Sequence, residues 1–209
     1  MSIRVIGPSN YSRYAGHPFL VDVTAHSAAP WSKGLAPEVL GPVALYGGRK
    51  AQTMRNGWEH CKVFSANVGE DGQPSPQYWD WATNGWNSLA IDKQSKGKSS
   101  ERPEFFWWEG KRMNALDARK RIYWPLYRNA VALTPAFTHL KAMVERCPEV
   151  VLFDFEGYDE EAEDLTLKDV VLDLRRNLSH AFVLKAMLLH GEQVTPEDVL
   201  SNNAQISLF

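Results

Sequence analysis

The stretch 114–131 carries a cation and two phenols at helical spacing. Arg119, Tyr123 and Tyr127 recur every four residues, so on a helix they follow one edge of an apolar stripe. A buried guanidinium is costly unless it is paired, and Pro125 kinks a helix because it removes a backbone donor. This combination is typical of the wall of a binding site. The alternative is a core helix whose Arg119 is neutralised by a structural carboxylate.

A second candidate is the pair Glu59 and Lys62. Thr53 is a plausible N-cap for a helix that reaches about Ala66, and on this helix the two residues are i, i+3 neighbours. Such a pair is often a surface ion bridge worth a few tenths of a kcal/mol. The other interpretation makes Lys62 a desolvated amine at the edge of a pocket.

Asp154 is the third candidate. It lies near the carboxyl end of the run 150–155, Val-Val-Leu-Phe-Asp-Phe, which is almost wholly apolar and therefore predicts a strand buried on both faces. Its carboxylate is the natural counter-charge for Arg119, or else a catalytic group.

The rest of the chain predicts an α+β fold, mostly helical, with helices packed around a small sheet in a single domain, 1–209. The other predicted elements are short strands at 3–5 and 19–24, an aromatic helix at 77–89, and helices that begin at Thr134-Pro135, at a Thr166/Asp169 capping box, at Ser179 (closed by Gly191) and at Thr195-Pro196. Residues 92–103, rich in lysine and serine, predict an exposed flexible loop.

Composition narrows the function. A net charge of −2 argues against wholesale coating of nucleic acid, while the 8 tryptophans either fill a core or stack on a flat ligand. The 2 cysteines and 6 histidines lack metal-ligand or disulfide spacing, so no metal and no cofactor is expected. The segment Gly47-Gly48-Arg49-Lys50 is either a phosphate cradle or an ordinary turn. No signal peptide or membrane span is predicted, and the expected location is the cytoplasm.

Several blocks of the chain resemble an uncharacterised bacterial and phage family with Asp-Val-Thr, Trp-x-x-x-Lys-Val-Phe, Ala-Arg-x-x-Ile-Tyr-x-Pro-x-Tyr and Leu-Ser-His-Ala signatures. These blocks are Val21–Thr24, Trp31 with Leu35–Pro37, Trp58–Phe64, Ala118–Tyr127, Leu152–Phe155 and Asn177–Ala181. They occur in the same order over most of the chain.

A more distant resemblance is to the NADAR proteins, α-rich enzymes that hydrolyse N-glycosidic bonds in ribosylated heterocycles or ADP-ribose adducts. Lys62 matches the lysine of their Glu-His-x-Tyr-Gln-Ala-x-Lys helix motif, and Glu59 stands at its glutamine. Arg55 occupies the position of the leading glutamate. The resemblance implies a NADAR-like architecture, and an oxocarbenium-like centre stabilised by a carboxylate while an acid protonates the leaving base.

The resemblance also implies roles for individual residues. Lys62 would form an imine with the opened sugar, Arg119 would hold a phosphate, and His180 would donate a proton, or else serve as a packing or capping residue. The implied catalytic set is Lys62, Glu59, Asp154 and His180; the implied ligand-binding set is Arg119, Tyr123, Tyr127, Trp58, Asp22 and Ser179.

The predicted function is therefore an N-glycosidase-like hydrolase acting on a ribosylated base, nucleotide or ADP-ribose adduct. One alternative is a non-catalytic module that binds nucleotides or single-stranded nucleic acid through tryptophans and the lysine-rich loop. Another is a phage-type protein that acts through protein contacts.

Overall fold

The apolar run that follows Pro148 forms the central strand of a parallel sheet. The computed structural model describes residues 2–90, 102–156 and 158–201, and within them the chain is α+β. The strands are β1 (Ser2–Ile6), β2 (Leu20–Asp22), β3 (Val43–Ala44), β4 (Lys50–Ala51), β5 (Lys62–Val63), β6 (Phe105–Trp108), β7 (Lys111–Met113) and β8 (Glu149–Phe153). The helices are α1 (Tyr11–Tyr14), α2 (Met54–Glu59), α3 (Pro76–Asn87), α4 (Ala115–Ala118), α5 (Trp124–Val131), α6 (Pro135–Arg146), α7 (Glu160–Glu163), α8 (Leu167–Leu172), α9 (His180–His190) and α10 (Pro196–Ser201).

The described strands form three small sheets. β8 pairs in parallel with β1 on one side and with β2 on the other, whereas β3-β4 and β5-β6-β7 are antiparallel. Val150, Val151 and Leu152 are fully buried, so the predicted strand with two buried faces is confirmed. Because the three parallel strands run in one direction, their carboxyl ends lie at the same edge, and the residues after Phe153 begin there.

Helix α9 is surrounded by other elements, as its sequence, apolar on all sides, requires. It contacts β1, α5 and α8. The Ser179 hydroxyl caps it by accepting from the amide of Ala181, and Gly191 ends it with φ of 97°. The prediction for this helix is confirmed, and its first turn is held at the carboxyl edge of the parallel sheet.

Capping residues set the starts of several other helices as predicted. Thr53 accepts from the amide of Asn56, and Thr134 accepts from the amide of Phe137. Thr166 and Asp169 form a reciprocal capping box at α8. These interactions lie within three residues of sequence, which is why the sequence alone predicts them.

The helix that begins after Thr53 is shorter than predicted. α2 ends at Glu59 instead of near Ala66, and Lys62 lies on β5. β5 pairs antiparallel with β6, whose four residues are all aromatic. Strand pairing with an aromatic partner overrides the helical pattern because aromatic residues pack well on a pleated sheet. Glu59 is therefore the last residue of α2 and Lys62 is the first residue of β5, so their contact is not between two residues of one helix.

The predicted helix over 114–131 is interrupted by a π-helical stretch, Arg119–Tyr123, which joins α4 to α5. The amide of Trp124 bonds to the carbonyl of Arg119, five residues back. Pro125 follows at the start of α5, where its missing N–H does not break a regular helix. The predicted distortion is therefore present, as a widened turn before the proline.

Residues 92–101 of the predicted loop 92–103 lie outside the described residues. Within the described ranges, every helix is too short or too polar to cross a lipid bilayer.

Gly85 on α3 lies directly against the ring of His60, which ends α2. An alanine Cβ at this position would stand 1.9 Å from His60 Nε2, and the ring is held by Nδ1, which donates to the Asn56 carbonyl at 2.9 Å. Alanine favours a helix over glycine by roughly 0.5–1 kcal/mol, but overpacking costs about 1–3 kcal/mol. We predict that Gly85→Ala lowers the free energy of unfolding in urea by about 1–3 kcal/mol.

Thr83→Ala is the matched control, because Thr83 is exposed on the same helix. It should change the free energy of unfolding by less than about 0.5 kcal/mol. A Gly85→Ala protein more stable than wild type would contradict the close packing of α3 on His60.

Candidate functional site

A small polar cleft opens at the carboxyl edge of the parallel sheet. We call it the glutamate cleft, and it is lined by Arg55, Trp58, Glu59, Arg119, Tyr123, Glu156, Asn177 and Leu178. α2 supplies three of these residues at i, i+3 and i+4, so they share one helix face. The π-helical stretch supplies two more, and the remaining three come from the segments after β8 and before α9. Its volume of about 30 Å³ has room for only a few water molecules.

Arg55 is surrounded by three glutamates. Its Nε lies 3.4 Å from Glu59 Oε1, and its Nη1 lies 3.8 Å from Oε1 of both Glu38 and Glu156. Burial alone would lower the pKa of Arg55, but the three carboxylates outweigh it and the pKa is raised. All three contacts are longer than a close hydrogen-bonded ion pair, so Arg55 holds the acids together without being committed to one of them.

Glu156 has the properties of a proton donor. Burial raises the pKa of its carboxyl, the charge of Asp154 raises it further, and Arg55 opposes the shift. Asn177 Nδ2 donates to Glu156 Oε1 at 3.3 Å. The Glu156 side chain is nevertheless 39% exposed, so a ligand in the cleft can reach it. A carboxyl whose pKa is raised and that faces a cleft is suited to general acid catalysis.

Glu59 and Lys62 form an ion pair at the edge of this cleft. Lys62 Nζ lies 2.6 Å from Glu59 Oε2 and 5.4 Å from the centroid of the Trp58 ring. The side chains of Glu59 and Lys62 are only 14% and 18% exposed. The contact is therefore a partly buried pair and not the surface ion bridge that was the simpler interpretation. Glu59 lines the cleft directly, whereas Lys62 is not part of the lining and contacts the carboxylate oxygen of Glu59 other than the one nearest Arg55.

Arg119 is buried, and each of its two terminal nitrogens already donates to the backbone. Nη1 donates to the Asp173 carbonyl at 2.7 Å, and Nη2 donates to the Arg176 carbonyl. Burial lowers the pKa of Arg119. The sequence predicted that Asp154 or another carboxylate would neutralise Arg119. Among the described residues no carboxylate forms an ion pair with this guanidinium, and Asp154 pairs with His180. The predicted Arg119–Asp154 contact is wrong because backbone carbonyls before α9 reach the guanidinium first.

Tyr123 and Tyr127 have different environments although their rings are parallel and 6.5 Å apart. Tyr123 lines the cleft, and its hydroxyl makes no hydrogen bond within the described part of the chain, so it can bind a ligand. Burial and nearby acids raise its pKa, which keeps the phenol protonated. The Tyr127 hydroxyl donates to the Leu35 carbonyl at 2.7 Å in the core. Trp58 packs edge-on against Tyr123 at 5.1 Å.

Asp154, Ser179 and His180 form a buried cluster behind the cleft. His180 Nδ1 lies 3.1 Å from Asp154 Oδ2, and His180 Nε2 lies 3.0 Å from the Val23 carbonyl. Ser179 Oγ donates to Asp154 Oδ2 at 2.5 Å. Both ring nitrogens face acceptors, so the doubly protonated imidazolium satisfies both contacts. In this geometry neither nitrogen is left to give a proton to a ligand.

The charged state of this cluster follows from competition between burial and pairing. Burial disfavours both charges, but their mutual attraction and the hydrogen bonds outweigh it, so the pKa of Asp154 is lowered and that of His180 is raised. Asp22, another predicted ligand residue, lies at the end of β2, where its Oδ1 accepts from the Thr24 amide at 2.9 Å. It does not line the cleft.

The structure thus brings together Trp58, Glu59, Arg119 and Tyr123 from the predicted set. It leaves six predicted residues outside the cleft lining: Lys62, Asp154, Ser179, His180, Tyr127 and Asp22. Glu38, Glu156 and Asn177 were not predicted as site residues, and Arg55 was noted only as a departure from a motif. One signal was available for Glu156, since it follows the end of a buried parallel strand. The ion cluster itself depends on contacts between distant segments.

A larger concavity shares no lining residue with the glutamate cleft. It is an open groove of about 1090 Å³ that includes Trp31, Leu40, Val43, Leu126, Ala130 and Leu133 in its lining. Its titratable residues are Lys33 and His139. Size favours this groove as a ligand site, but the acids and the available phenol lie at the glutamate cleft, which we regard as the chemically competent site.

The ion pair predicts a characteristic pH dependence of stability. His180→Gln leaves the Asp154 carboxylate buried without its partner, which costs about 3–5 kcal/mol. Because the pKa of His180 is raised on folding, its stabilisation is complete below the unfolded value of about 6.5 and is lost as pH rises through the folded value. We predict that the stability difference from wild type, measured by urea unfolding, is largest near pH 5–6 and shrinks at alkaline pH.

His190→Gln is the control, since His190 is exposed at the end of α9. It should show neither the loss nor the pH trend. A difference for His180→Gln that stays constant from pH 5 to pH 9 would contradict the ion pair.

The described residues contain no cluster of three or more histidine, cysteine or acidic side chains arranged to hold a metal ion. Comparison of the chain with protein-family models, with curated proteins and with solved structures finds no match. The glutamate cleft must therefore be interpreted from its own chemistry.

Proposed function

We propose that this protein is an N-glycosidase-like hydrolase that acts at the glutamate cleft on a ribosylated base, nucleotide or ADP-ribose adduct. The observation that carries the proposal is a pair of glutamates from different elements, Glu59 and Glu156, held on one guanidinium at the mouth of a cleft. Two carboxyl groups in unlike environments are what glycoside hydrolysis uses. The resemblance of the α2 region to the NADAR motif, and the NADAR-like architecture inferred from it, support the same reaction.

The two acids take different roles in this proposal. Glu156, whose pKa is raised, gives its proton to the leaving nitrogen as the bond from C1′ breaks and the electron pair moves to that nitrogen. Glu59 lies between Arg55 and Lys62 and faces the positive charge that develops on the sugar. Water then adds at C1′ and returns a proton to the Glu156 carboxylate, which restores the starting state.

The aromatic and amide side chains supply binding. The rings of Tyr123 and Trp58 form an apolar wall of the cleft. The Tyr123 hydroxyl, which has no hydrogen-bond partner among the described residues, can bond to a ribosyl group or a flat base on this wall. The guanidiniums of the cleft are already engaged, Arg55 by three carboxyl groups and Arg119 by two backbone carbonyls. We therefore expect the sugar and base, rather than a phosphate, to occupy the cleft.

Entry of a sugar requires side-chain movement because the cleft is small. Glu156 is the lining residue best placed to move, because its contact with Arg55 is long, 3.8 Å, and its side chain is partly exposed. Rotation of Glu156 toward solvent would widen the cleft and leave Arg55 with its other acids.

Glu156→Gln tests the acid. It keeps the size of the side chain but has no proton to give, so we predict a fall in kcat of about 10²–10⁴-fold. The measurement is release of free base, followed by chromatography, from a panel of NAD, ribosylated nucleobases and ADP-ribose adducts. Because Glu156 must be protonated, wild-type kcat/KM should decline as pH rises through its raised pKa.

Glu145→Gln, an exposed glutamate on α6, is the control and should behave as wild type. The proposal fails if no member of the panel is hydrolysed and none raises the melting temperature. It also fails if Glu156→Gln retains the wild-type rate.

Lys62 has two possible roles that substitution separates. An ammonium in an ion pair has no electron pair with which to attack a sugar aldehyde, so we assign Lys62 the positioning of Glu59 and not imine formation. Lys62→Arg keeps a cation beside Glu59, and we predict that it retains most of the base release that Lys62→Ala loses. Loss of activity in both variants, together with a borohydride-trapped adduct on the wild-type protein, would establish the imine route instead.

A further inference from the structure

A row of aromatic rings flanked by two arginines lies on a face that shares no residue with the glutamate cleft. We call it the aromatic–arginine row, and it consists of Tyr46, Arg49, Trp79, Phe105, Trp107 and Arg112. The Arg49 Cζ lies 5.3 Å from the Tyr46 ring and 5.5 Å from the Trp79 ring. Trp79 and Trp107 are 6.5 Å apart, Trp107 and Phe105 are 6.4 Å apart, and Arg112 Cζ stands 3.9 Å from Phe105.

The two arginines lack acidic partners. Within the described ranges, neither guanidinium lies in an ion pair. Arg112 donates to the Gly72 carbonyl at 3.0 Å, and Arg49 lies over the rings of Tyr46 and Trp79. Both arginines are exposed, as are the neighbouring Lys50 and Lys111. Most of the guanidinium donors are therefore available to an anion, and two further cations stand beside them.

The backbone is arranged to present these cations on the rings. Gly47 and Gly48 have φ of 62° and 74°, and a Cβ on Gly47 would stand 2.8 Å from Arg49 Nη1. Glycine at position 47 therefore allows Arg49 to fold back over Tyr46. On the other side, the β6-β7 hairpin pairs Arg112 with Trp107.

This arrangement matches the chemistry of a single nucleic-acid strand. Unpaired bases stack on half-buried rings such as Trp79 and Trp107, while guanidinium and ammonium groups hold the phosphates between them. A duplex hides its base faces and cannot use the rings. We propose that the aromatic–arginine row binds single-stranded nucleic acid, with the bases on the tryptophans and the phosphates on Arg49 and Arg112.

The proposal assigns a ligand to the Gly47-Gly48-Arg49-Lys50 segment, which the proposed hydrolase function does not use. The phosphate contact comes from the side chain of Arg49, and the two glycines act by giving that side chain space. The net charge of −2 is compatible with a local anion site, since Arg49, Lys50, Lys111 and Arg112 are all exposed in or beside the row.

The test is fluorescence anisotropy of a labelled single-stranded oligonucleotide of mixed sequence titrated with the full chain. We expect binding that weakens steadily as salt rises, because each phosphate contact releases counterions. The double variant Arg49→Ser/Arg112→Ser should bind at least about tenfold more weakly and with a shallower salt dependence. Trp107→Leu should weaken binding by a similar factor through lost stacking while leaving the salt dependence unchanged.

Arg121→Ser/Arg146→Ser is the matched control, since it removes two exposed arginines outside the row. A duplex of the same sequence should compete poorly. The inference is overturned if the single strand does not bind at low salt, if the duplex binds equally well, or if the control and the row variants lose the same affinity. Thermal unfolding curves check that each variant is folded.

Discussion

The buried ion pair between Asp154 and His180 is the contact on which the arrangement of the site depends. It joins the end of β8 to the start of α9, and the second nitrogen of His180 extends the connection to the Val23 carbonyl after β2. Glu156 lies two residues beyond one partner, and Asn177 lies three residues before the other. One buried contact therefore sets the distance between two walls of the glutamate cleft. His180 and Asp154 were predicted to be catalytic, but in the structure they hold the elements around the cleft in place.

Charge is divided between two faces of the molecule. The cleft gathers three acids around Arg55, which places carboxyl groups where a proton can be transferred. In the aromatic–arginine row the guanidiniums form no ion pair with any described acid, which favours phosphates. A net charge of −2 is a sum over 23 basic and 25 acidic residues, so it does not reveal this separation. Overall charge is thus a poor guide to what this chain binds.

The parts of the fold that sequence predicts are those determined locally. The caps at Thr53, Thr134 and Thr166 and the apolar strand β8 depend on neighbouring residues or on a simple hydrophobic run. The early end of α2 was missed because it depends on pairing with β6, more than forty residues later in the chain. The next pairing, β6 with β7, is more local, because Glu109 and Gly110 join the two strands in a two-residue turn with φ angles of 51° and 76°.

The site was predicted less well than the fold for a related reason. Residue type and spacing identify groups that can do chemistry, and four of the predicted residues do line the cleft. They do not identify which partner a buried charge will find. Arg119 found backbone carbonyls and Asp154 found a histidine, although the two were expected to pair. Glu38 and Glu156 come from segments that only the folded chain brings to Arg55.

The three loose contacts of Arg55 also bear on how the cleft can admit a molecule at all. If a ligand displaces one glutamate, two carboxylates remain close to the Arg55 guanidinium. Opening the cleft therefore does not leave this buried charge unpaired. A single tight pair would have made the same motion far more costly. Because Arg55 has several weak partners, the cleft can open by rotation of side chains alone, without movement of the backbone.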